Sequence, residues 1–199
     1  MFFSNNIDNI EFSFNGKGIP LSTSHNHLGV ILSQNAKWNE HLGNMITNIT
    51  KHLGILLKLK FSLNRSNLEK MYLVYIRPLF EYACEVWNNC GIGYSDKLEK
   101  LQLDAARIVT GLPIFRKSEY LYAETGWEKI SERRYRRKLQ LFFNIKCGMA
   151  PGYLRHLVPP TIQSTTIYPL RNCDNLIVPF CRLSITNSSF THINVTIEE

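Results

Sequence analysis

The sequence predicts a mainly α-helical protein with a small antiparallel β element at its N-terminus and an irregular C-terminal tail. Near the start, apolar residues alternate with a period of two. From about residue 35 to residue 147 they recur every three to four residues, and after Thr161 the pattern fades. The chain has 199 residues, of which 44% are hydrophobic and 20% are charged, so its composition is that of a folded globular protein.

The N-terminal residues 7–32 predict short strands. The segment IEFSF alternates apolar and polar residues, and Asn15-Gly16 directly after it is a strong signal for a two-residue hairpin turn. A further apolar run, residues 28–32, predicts a third strand. Three such strands form only a marginal sheet, so we expect this element to pack on a larger domain.

Between Asn35 and Phe61 the period becomes helical, with one apolar stripe and one polar or basic stripe. The apolar stripe contains Trp38, Leu42, Met45, Ile49, Leu53 and Leu56, and the polar stripe contains Asn44, Asn48, Lys51 and Lys58. Gly43 and Gly54 each weaken the helix by about 1 kcal/mol relative to alanine. We therefore expect this helix to depend on tertiary packing.

The clearest apolar pattern runs from Ser66 to Pro113 and predicts two helices joined by a short glycine-containing turn. Ser66 and Glu69 have the spacing of a capping box, and Pro78 predicts a kink in the first helix. The predicted inner face of that helix is Leu68, Tyr72, Tyr75, Leu79, Tyr82 and Val86. Ser95 is placed to cap the second helix, whose predicted inner face is Leu98, Leu101, Ala105 and Ile108, with Gly111 as its stop.

Downstream, residues 117–125 predict a short helix that ends at Gly126, and a longer helix follows from Trp127 to about Cys147. The apolar side of the longer helix is predicted to be Tyr135, Leu139, Phe142 and Phe143. Its basic cluster, RRYRRK, comprises Arg133, Arg134, Arg136, Arg137 and Lys138. Two faces of the helix would present these side chains to phosphate oxygens. The alternative is a solvated face that is balanced by Glu128 and Glu132, and the sequence leaves both open.

The net charge of +7 and the pI near 9.2 predict an anionic partner, with nucleic acid first and a membrane surface second. A basic protein without such a partner is the alternative. No apolar run approaches the ~18 residues that span a bilayer, and the N-terminus has no signal-peptide pattern. The five cysteines are odd in number and lack a CxxC spacing, which favours reduced thiols in an intracellular protein, cytoplasmic or nuclear.

No motif predicts a catalytic residue, a cofactor site or a metal site. His25 and His27 would face the same way on a strand, but a metal site needs a third ligand, so two surface histidines are the simpler interpretation. The chain has no P-loop, no GxGxxG and no GxSxG serine. It also lacks an Asp-Asp pair, whereas two-metal nucleotidyl transfer needs clustered carboxylates.

In order along residues 10–180, six segments resemble the region C-terminal to the palm in reverse transcriptases of non-LTR (LINE-like) retrotransposons. They are HNHLGVILSQNAKWNEHL, KHLGILLKLK, LEKMYLVYIRPLFEYACEVWN, DKLEKLQLDAARIVTGLP, ETGWEKISERRYRRKLQLFFNIKCGMAPGYLRHLVPP and YPLRNCDNLIVP. Each segment is short and degenerate, but six in the family's order make a specific series.

The resemblance implies four segments: residual palm over 1–34, thumb and connector helices over 35–112, a helical region with the basic cluster over 113–160, and an irregular tail over 161–199. In the family, a hairpin with a Leu-Gly pair ends the palm and helps to grip the primer. The matching pair here is Leu28-Gly29, with His27 where the family has an aromatic residue. The resemblance makes Lys51, Lys58 and Lys60 candidate contacts to the nucleic-acid backbone.

The departures from the family bear on catalysis. The palm's carboxylates, with the Mg²⁺ that they bind, would lie upstream of Met1, so the resemblance implies a truncated chain with no catalysis and no cofactor of its own. SSFTHINVTIEE also replaces the family's usual C-terminal stretch.

The main hypothesis is therefore a non-catalytic part of an RNA-directed DNA polymerase. Its implied partners are RNA, DNA or their hybrid, together with the palm and fingers of the same polyprotein, and not a membrane. The alternative is a helical protein-interaction module or a non-functional relic, in which an apolar surface left uncovered by the palm promotes association.

Overall fold

The computed structural model describes residues 12–19, 22–165 and 175–177. The protein is mainly α-helical, with small antiparallel hairpins near its N-terminus, which confirms the predicted fold class. Its described residues form two compact units. Unit 1 comprises those within Met1–Tyr82 and Cys90–Gly126, and unit 2 those within Ala83–Asn89 and Trp127–Glu199. The predictions that concern Ile10, Cys173, Cys181 and most of the tail beyond Thr165 lie outside the described residues.

Two separate hairpins, and not one three-stranded sheet, make up the β element. Strand β1 (Phe12–Phe14) pairs with β2 (Lys17–Ile19), and β3 (Ser24–His27) pairs with β4 (Val30–Ser33), both antiparallel. The hairpin turn at Asn15-Gly16 is confirmed. The strand predicted over 28–32 is wrong at its start, because Leu28 and Gly29 form the second turn and β4 begins after them.

Helix α1 spans Asn39–Leu59, a shorter range than the predicted 35–61. Its apolar stripe is confirmed, since Leu42, Ile49, Leu53 and Leu56 are buried. This stripe packs against β4 and against helix α5 (Ile92–Thr110). Tertiary contacts thus offset the two glycines within α1.

The first helix of the 66–113 hairpin is four short pieces rather than one. Helix α2 (Arg65–Met71) runs into a π-helical turn (Tyr72–Ile76), which is followed by α3 (Arg77–Glu81) and α4 (Cys84–Trp87). Pro78 has no N–H, and its ring would crowd the carbonyl four residues back in an α-helix. The wider π turn immediately before it carries the hydrogen bond from the Arg77 N–H to the Tyr72 carbonyl. The predicted kink is therefore realised as a π turn.

This π turn moves the buried face by one residue. Beyond Tyr72 the buried side chains are Ile76, Phe80, Cys84 and Trp87. The predicted inner face is wrong at Tyr75, Tyr82 and Val86, which are 58%, 54% and 53% exposed. A π turn holds more residues than an α turn, so the side chains of α3 rotate around the axis. Val86 lies in α4, after the break in the helix at left-handed Ala83.

Helix α4 belongs to unit 2, so the predicted helical hairpin is divided between the two units. The division falls after Tyr82, where Ala83 adopts a left-handed conformation with a φ of 49°. Within unit 2, α4 packs against helix α7 (Ile130–Lys146). A 3₁₀ helix (Gly152–Leu157) and the four-residue helix α8 (Ile162–Thr165) follow.

Two glycine stops are confirmed. Gly111 ends α5 and Gly126 ends α6 (Ser118–Thr125), both with a left-handed backbone. The predicted cap at Ser95 is wrong, because α5 begins one turn earlier with Gly91 at its N-cap. Within unit 1, buried Gln102 on α5 accepts a hydrogen bond of 3.1 Å from the Tyr72 hydroxyl, which fixes α5 against the π turn.

Three of the cysteines, Cys84, Cys90 and Cys147, are thiols rather than halves of a disulfide. None of the helices within residues 12–19, 22–165 and 175–177 is long and apolar enough to cross a lipid bilayer.

The N-cap of α2 supplies a stability test, because the predicted capping box at Ser66 is wrong. The Asn64 side chain accepts a hydrogen bond of 2.9 Å from the Asn67 N–H, so Asn64 is the cap. We expect Asn64→Ala to lower the free energy of unfolding by about 1 kcal/mol, since one N–H at the helix start loses its acceptor. The matched variant Ser66→Ala should change it far less in denaturant titrations. An equal loss in the two variants would contradict this assignment of the cap.

Candidate nucleic-acid interface

The tip of the β3–β4 hairpin is held by a tyrosine from the end of α3. Leu28 and Gly29 both have positive φ, 48° and 81°, as a two-residue type I′ turn requires. The Tyr82 hydroxyl donates a hydrogen bond of 2.5 Å to the Leu28 carbonyl. A Cβ on Gly29 would lie 3.4 Å from the Tyr82 ring, so glycine lets the ring lie close to the turn. The Leu28 side chain remains 78% exposed.

The same hairpin is fixed to the start of α1. Val30 is buried, and buried His41 on α1 accepts a hydrogen bond of 3.4 Å at Nδ1 from the Ile31 N–H. Ser24 Oγ donates to Glu40 Oε1 at 3.1 Å. Burial lowers the pKa of His41, which keeps the imidazole neutral near pH 7. Hairpin and helix are thus held together at both ends of the hairpin.

Leucine is an unfavourable residue at the first position of this turn. A left-handed backbone costs a residue with a Cβ about 1–2 kcal/mol, and asparagine is one of the few residues that tolerate it. The neighbouring hairpin has the same backbone turn with the usual choice, Asn15. An exposed leucine in a strained position does not contribute to the core, so a role in binding is the hypothesis that accounts for it.

Of the three candidate lysines, Lys51 and Lys58 are exposed on α1 and Lys60, at the helix C-cap, is half-buried. Lys51 and Lys58 are seven residues apart, which places their Cα atoms about 10 Å apart on one face. Helix α1 carries no acidic residue after Glu40. Within the part of the chain that the structure describes, none of the three ammonium groups forms an ion pair with a carboxylate.

Two members of the basic cluster in unit 2 are buried, so the expectation that the whole cluster faces phosphate is wrong for them. Arg134 is 3% exposed and Lys138 is 2% exposed. The Arg134 guanidinium lies over the Trp87 ring of α4, 5.2 Å from its centroid. Burial lowers the pKa of Lys138. Both side chains are buried on α7, as are Ile130 and Phe142.

Three other arginines of the cluster lie near carboxylates. Arg136 makes a two-pronged ion pair with Glu128 at 2.8 and 2.9 Å, and Arg133 lies 4.0 Å from the same carboxylate. Arg137 lies 3.5 Å from Glu85 of α4. The arrangement resembles the balanced face that the sequence left open, with Glu85 as a further partner beside Glu128.

The sequence contained a signal for the buried pair. Ile130, Arg134, Lys138 and Phe142 are spaced by four residues and so share one face of α7. The predicted apolar side, Tyr135, Leu139, Phe142 and Phe143, is confirmed at Phe142 but wrong at Tyr135 and Phe143, which are 39% and 57% exposed. The stems of arginine and lysine can cover apolar surface, which a hydrophobicity pattern does not register.

His25 and His27 lie exposed on β3 with ring centroids 6.2 Å apart. Among the described residues, no three His, Cys, Asp or Glu side chains are grouped so as to hold a metal ion.

Comparison with known proteins gives one curated relative. Over 132 residues the chain is 24% identical to the probable RNA-directed DNA polymerase from transposon X-element of Drosophila melanogaster. This similarity supports a relation to a transposon reverse transcriptase. The alignment covers 61% of this chain but 14% of the relative, so the chain spans a small part of that protein's length. No family model and no solved structure matches.

Exchanging the first residues of the two hairpin turns tests whether Leu28 is kept for stability. We expect Leu28→Asn to raise the free energy of unfolding by up to about 1 kcal/mol, because asparagine relieves the left-handed strain. The reverse change, Asn15→Leu, should lower it by a similar amount in the same denaturant titration. A loss of stability in Leu28→Asn would show that the leucine side chain supports the fold, and would contradict a binding role.

Proposed function

We propose that this chain corresponds to the thumb and post-thumb part of a retrotransposon reverse transcriptase and binds template–primer nucleic acid. Its proposed role is binding, through phosphate contacts, and not nucleotide transfer. The relation to a transposon RNA-directed DNA polymerase supports the class of partner. The observation that carries the proposal is the lysine face of α1, formed by Lys51 and Lys58, which is exposed and lacks carboxylate partners among the described residues; Lys60 follows at the half-buried C-cap.

The proposed interface combines this lysine face with the hairpin tip. Lys51, Lys58 and Lys60 would contact the phosphate backbone, which fixes position on a duplex without reading its sequence. Leu28 and Gly29 would contact the nucleic acid at the hairpin tip, in the manner that the family resemblance implies for its primer grip. Both features belong to unit 1. Arg134 and Lys138 are left out of the interface because they are buried.

The slope of affinity against salt concentration tests the lysine face. Each phosphate that a lysine neutralises contributes about −0.9 to the slope of log K against log salt on a duplex. We expect Lys51→Ala/Lys58→Ala/Lys60→Ala to weaken binding to a fluorescein-labelled RNA–DNA hybrid and to make the slope shallower by about 2 to 3. Fluorescence anisotropy at several salt concentrations measures both quantities.

The matched control removes three charges from the basic cluster instead. Arg133→Ala/Arg136→Ala/Arg137→Ala lowers the net charge by the same amount but removes guanidinium groups that lie near Glu128 and Glu85. We expect its slope to change by less than that of the lysine variant. If the slope of log K against log salt becomes shallower in the arginine variant and is unchanged in the lysine variant, the proposed α1 interface is wrong. The basic cluster in unit 2 is then the binding surface.

A protein-interaction role is the competing function, and it is favoured by exposed apolar side chains on unit 1. These are Ile55, Leu57, Phe61, Val74 and Tyr75. Light scattering in the absence of nucleic acid separates the two functions. Self-association that is unaffected by the hybrid, together with no anisotropy change, would favour interaction with protein over binding to template–primer.

A further inference from the structure

Unit 1 contains a cavity of about 400 Å³ between the β3–β4 hairpin, α1 and α3. This volume is within the usual range for a small-molecule site. Its wall includes Tyr82 and Gly29, which lie close together where the Tyr82 side chain contacts the hairpin turn. The hydrogen bond from Tyr82 therefore helps to hold the hairpin beside this cavity.

Three asparagines line this cavity. Asn44 and Asn48 are one turn apart on α1, so their side chains are about 5–6 Å apart at Cβ. Asn26 reaches the cavity from β3. Among the described residues, none of these three side chains makes a hydrogen bond to the protein. Each carboxamide can offer a donor pair and an acceptor to a ligand.

The rest of the cavity wall is apolar or aromatic. Ile31, Met45 and Leu79 provide apolar surface against which a flat ring can pack, and the Tyr82 ring adds an aromatic face. This combination of apolar walls and a few convergent polar groups is typical of a ligand site.

Charge is absent from the cavity lining. None of the lining residues is Lys, Arg, Asp or Glu. His41 contributes a neutral imidazole near pH 7, since burial lowers its pKa. In a chain with a net charge of +7, a neutral cavity is a poor site for a phosphate or a metal ion and a good one for an uncharged heterocycle.

We propose that this cavity binds a single unpaired nucleobase, with a preference for adenine. An asparagine carboxamide matches the N6 amino group and N7 of adenine with two hydrogen bonds, and the apolar wall covers the faces of the ring. The base can belong to a free nucleotide or to the unpaired end of a strand. The proposal stands independently of duplex binding, because it concerns a neutral cavity and not the lysine face.

Saturation-transfer difference NMR on the full chain tests the cavity with adenosine as the probe. We expect saturation of the adenine H2 and H8 protons, and a weaker effect with uridine. Ribose 5-phosphate, which carries the sugar and phosphate without a base, should give no signal. Equal saturation of all three compounds, or none of adenosine, would overturn the proposal.

Substitutions in the lining locate the site. Asn44→Ala/Asn48→Ala should weaken adenosine binding about tenfold or more, which is the loss expected for one two-bonded base contact. Thr47→Ala is the matched control: Thr47 is exposed on the same helix, and its hydroxyl bonds to the Gly43 carbonyl outside the cavity. Asn26→Ala tests the same site from the strand, so a folding defect in α1 cannot decide the result. Unchanged affinity in both asparagine variants would overturn the proposal.

The source of the base is distinguished by two further ligands. A hybrid duplex with one unpaired terminal adenine is compared with the same duplex carrying a blunt end, in wild type and in Asn44→Ala/Asn48→Ala. A preference for the unpaired adenine that disappears in the variant assigns the cavity to a strand end. Binding of adenosine with no such preference assigns it to a free nucleoside. The lysine variant should retain adenosine binding, so failure of duplex binding and failure of the cavity are separate outcomes.

Discussion

Unit 1 depends on the backbone constraint that Pro78 imposes on the helix in which it lies. Proline removes one hydrogen bond and crowds the preceding turn, and the chain accommodates it with the π turn at Tyr72–Ile76. The inserted rotation directs Ile76 and Phe80 into the core, where each buried side chain contributes roughly 1.5–3 kcal/mol. It also turns Tyr82 outward, where its hydroxyl reaches the Leu28 carbonyl. The hairpin tip and the cavity beneath it follow from that one turn.

The elements were predictable because each has a local cause. Gly111 and Gly126 end their helices because glycine readily adopts the left-handed backbone conformation at a helix C-terminus. Asn15-Gly16 favours a hairpin turn by itself. The apolar stripe of α1 is uninterrupted, so its period alone identified the buried face. The π turn was not predictable from the period of the apolar residues. It shifts the buried face by one residue, but the apolar residues before it and after it each keep a helical spacing. Only the proline marked the place.

The candidate site was predictable in part. Leu28-Gly29 was selected by family resemblance, whereas the apolar run over residues 28–32 predicted that Leu28 lies in a strand. Arg134 and Lys138 were counted as solvent-facing cations because a sequence pattern scores their charge and not their apolar stems, although both are buried and Arg134 lies over the Trp87 ring. The cavity could not be anticipated, since it needs residues from β3, β4, α1 and α3 that become neighbours only in the folded chain.

The number of cationic side chains on a helix and their exposure to solvent differ between α7 and α1. Helix α7 has the denser basic cluster, but Arg134 and Lys138 are buried and Arg133, Arg136 and Arg137 lie near carboxylates. Helix α1 has fewer cations, yet they are accessible. Chemical-shift mapping of the ¹⁵N-labelled chain with a short RNA–DNA hybrid tests this distinction most directly. The largest shifts are predicted at Leu28, Gly29 and the α1 lysines. Shifts confined to α7 would contradict the account.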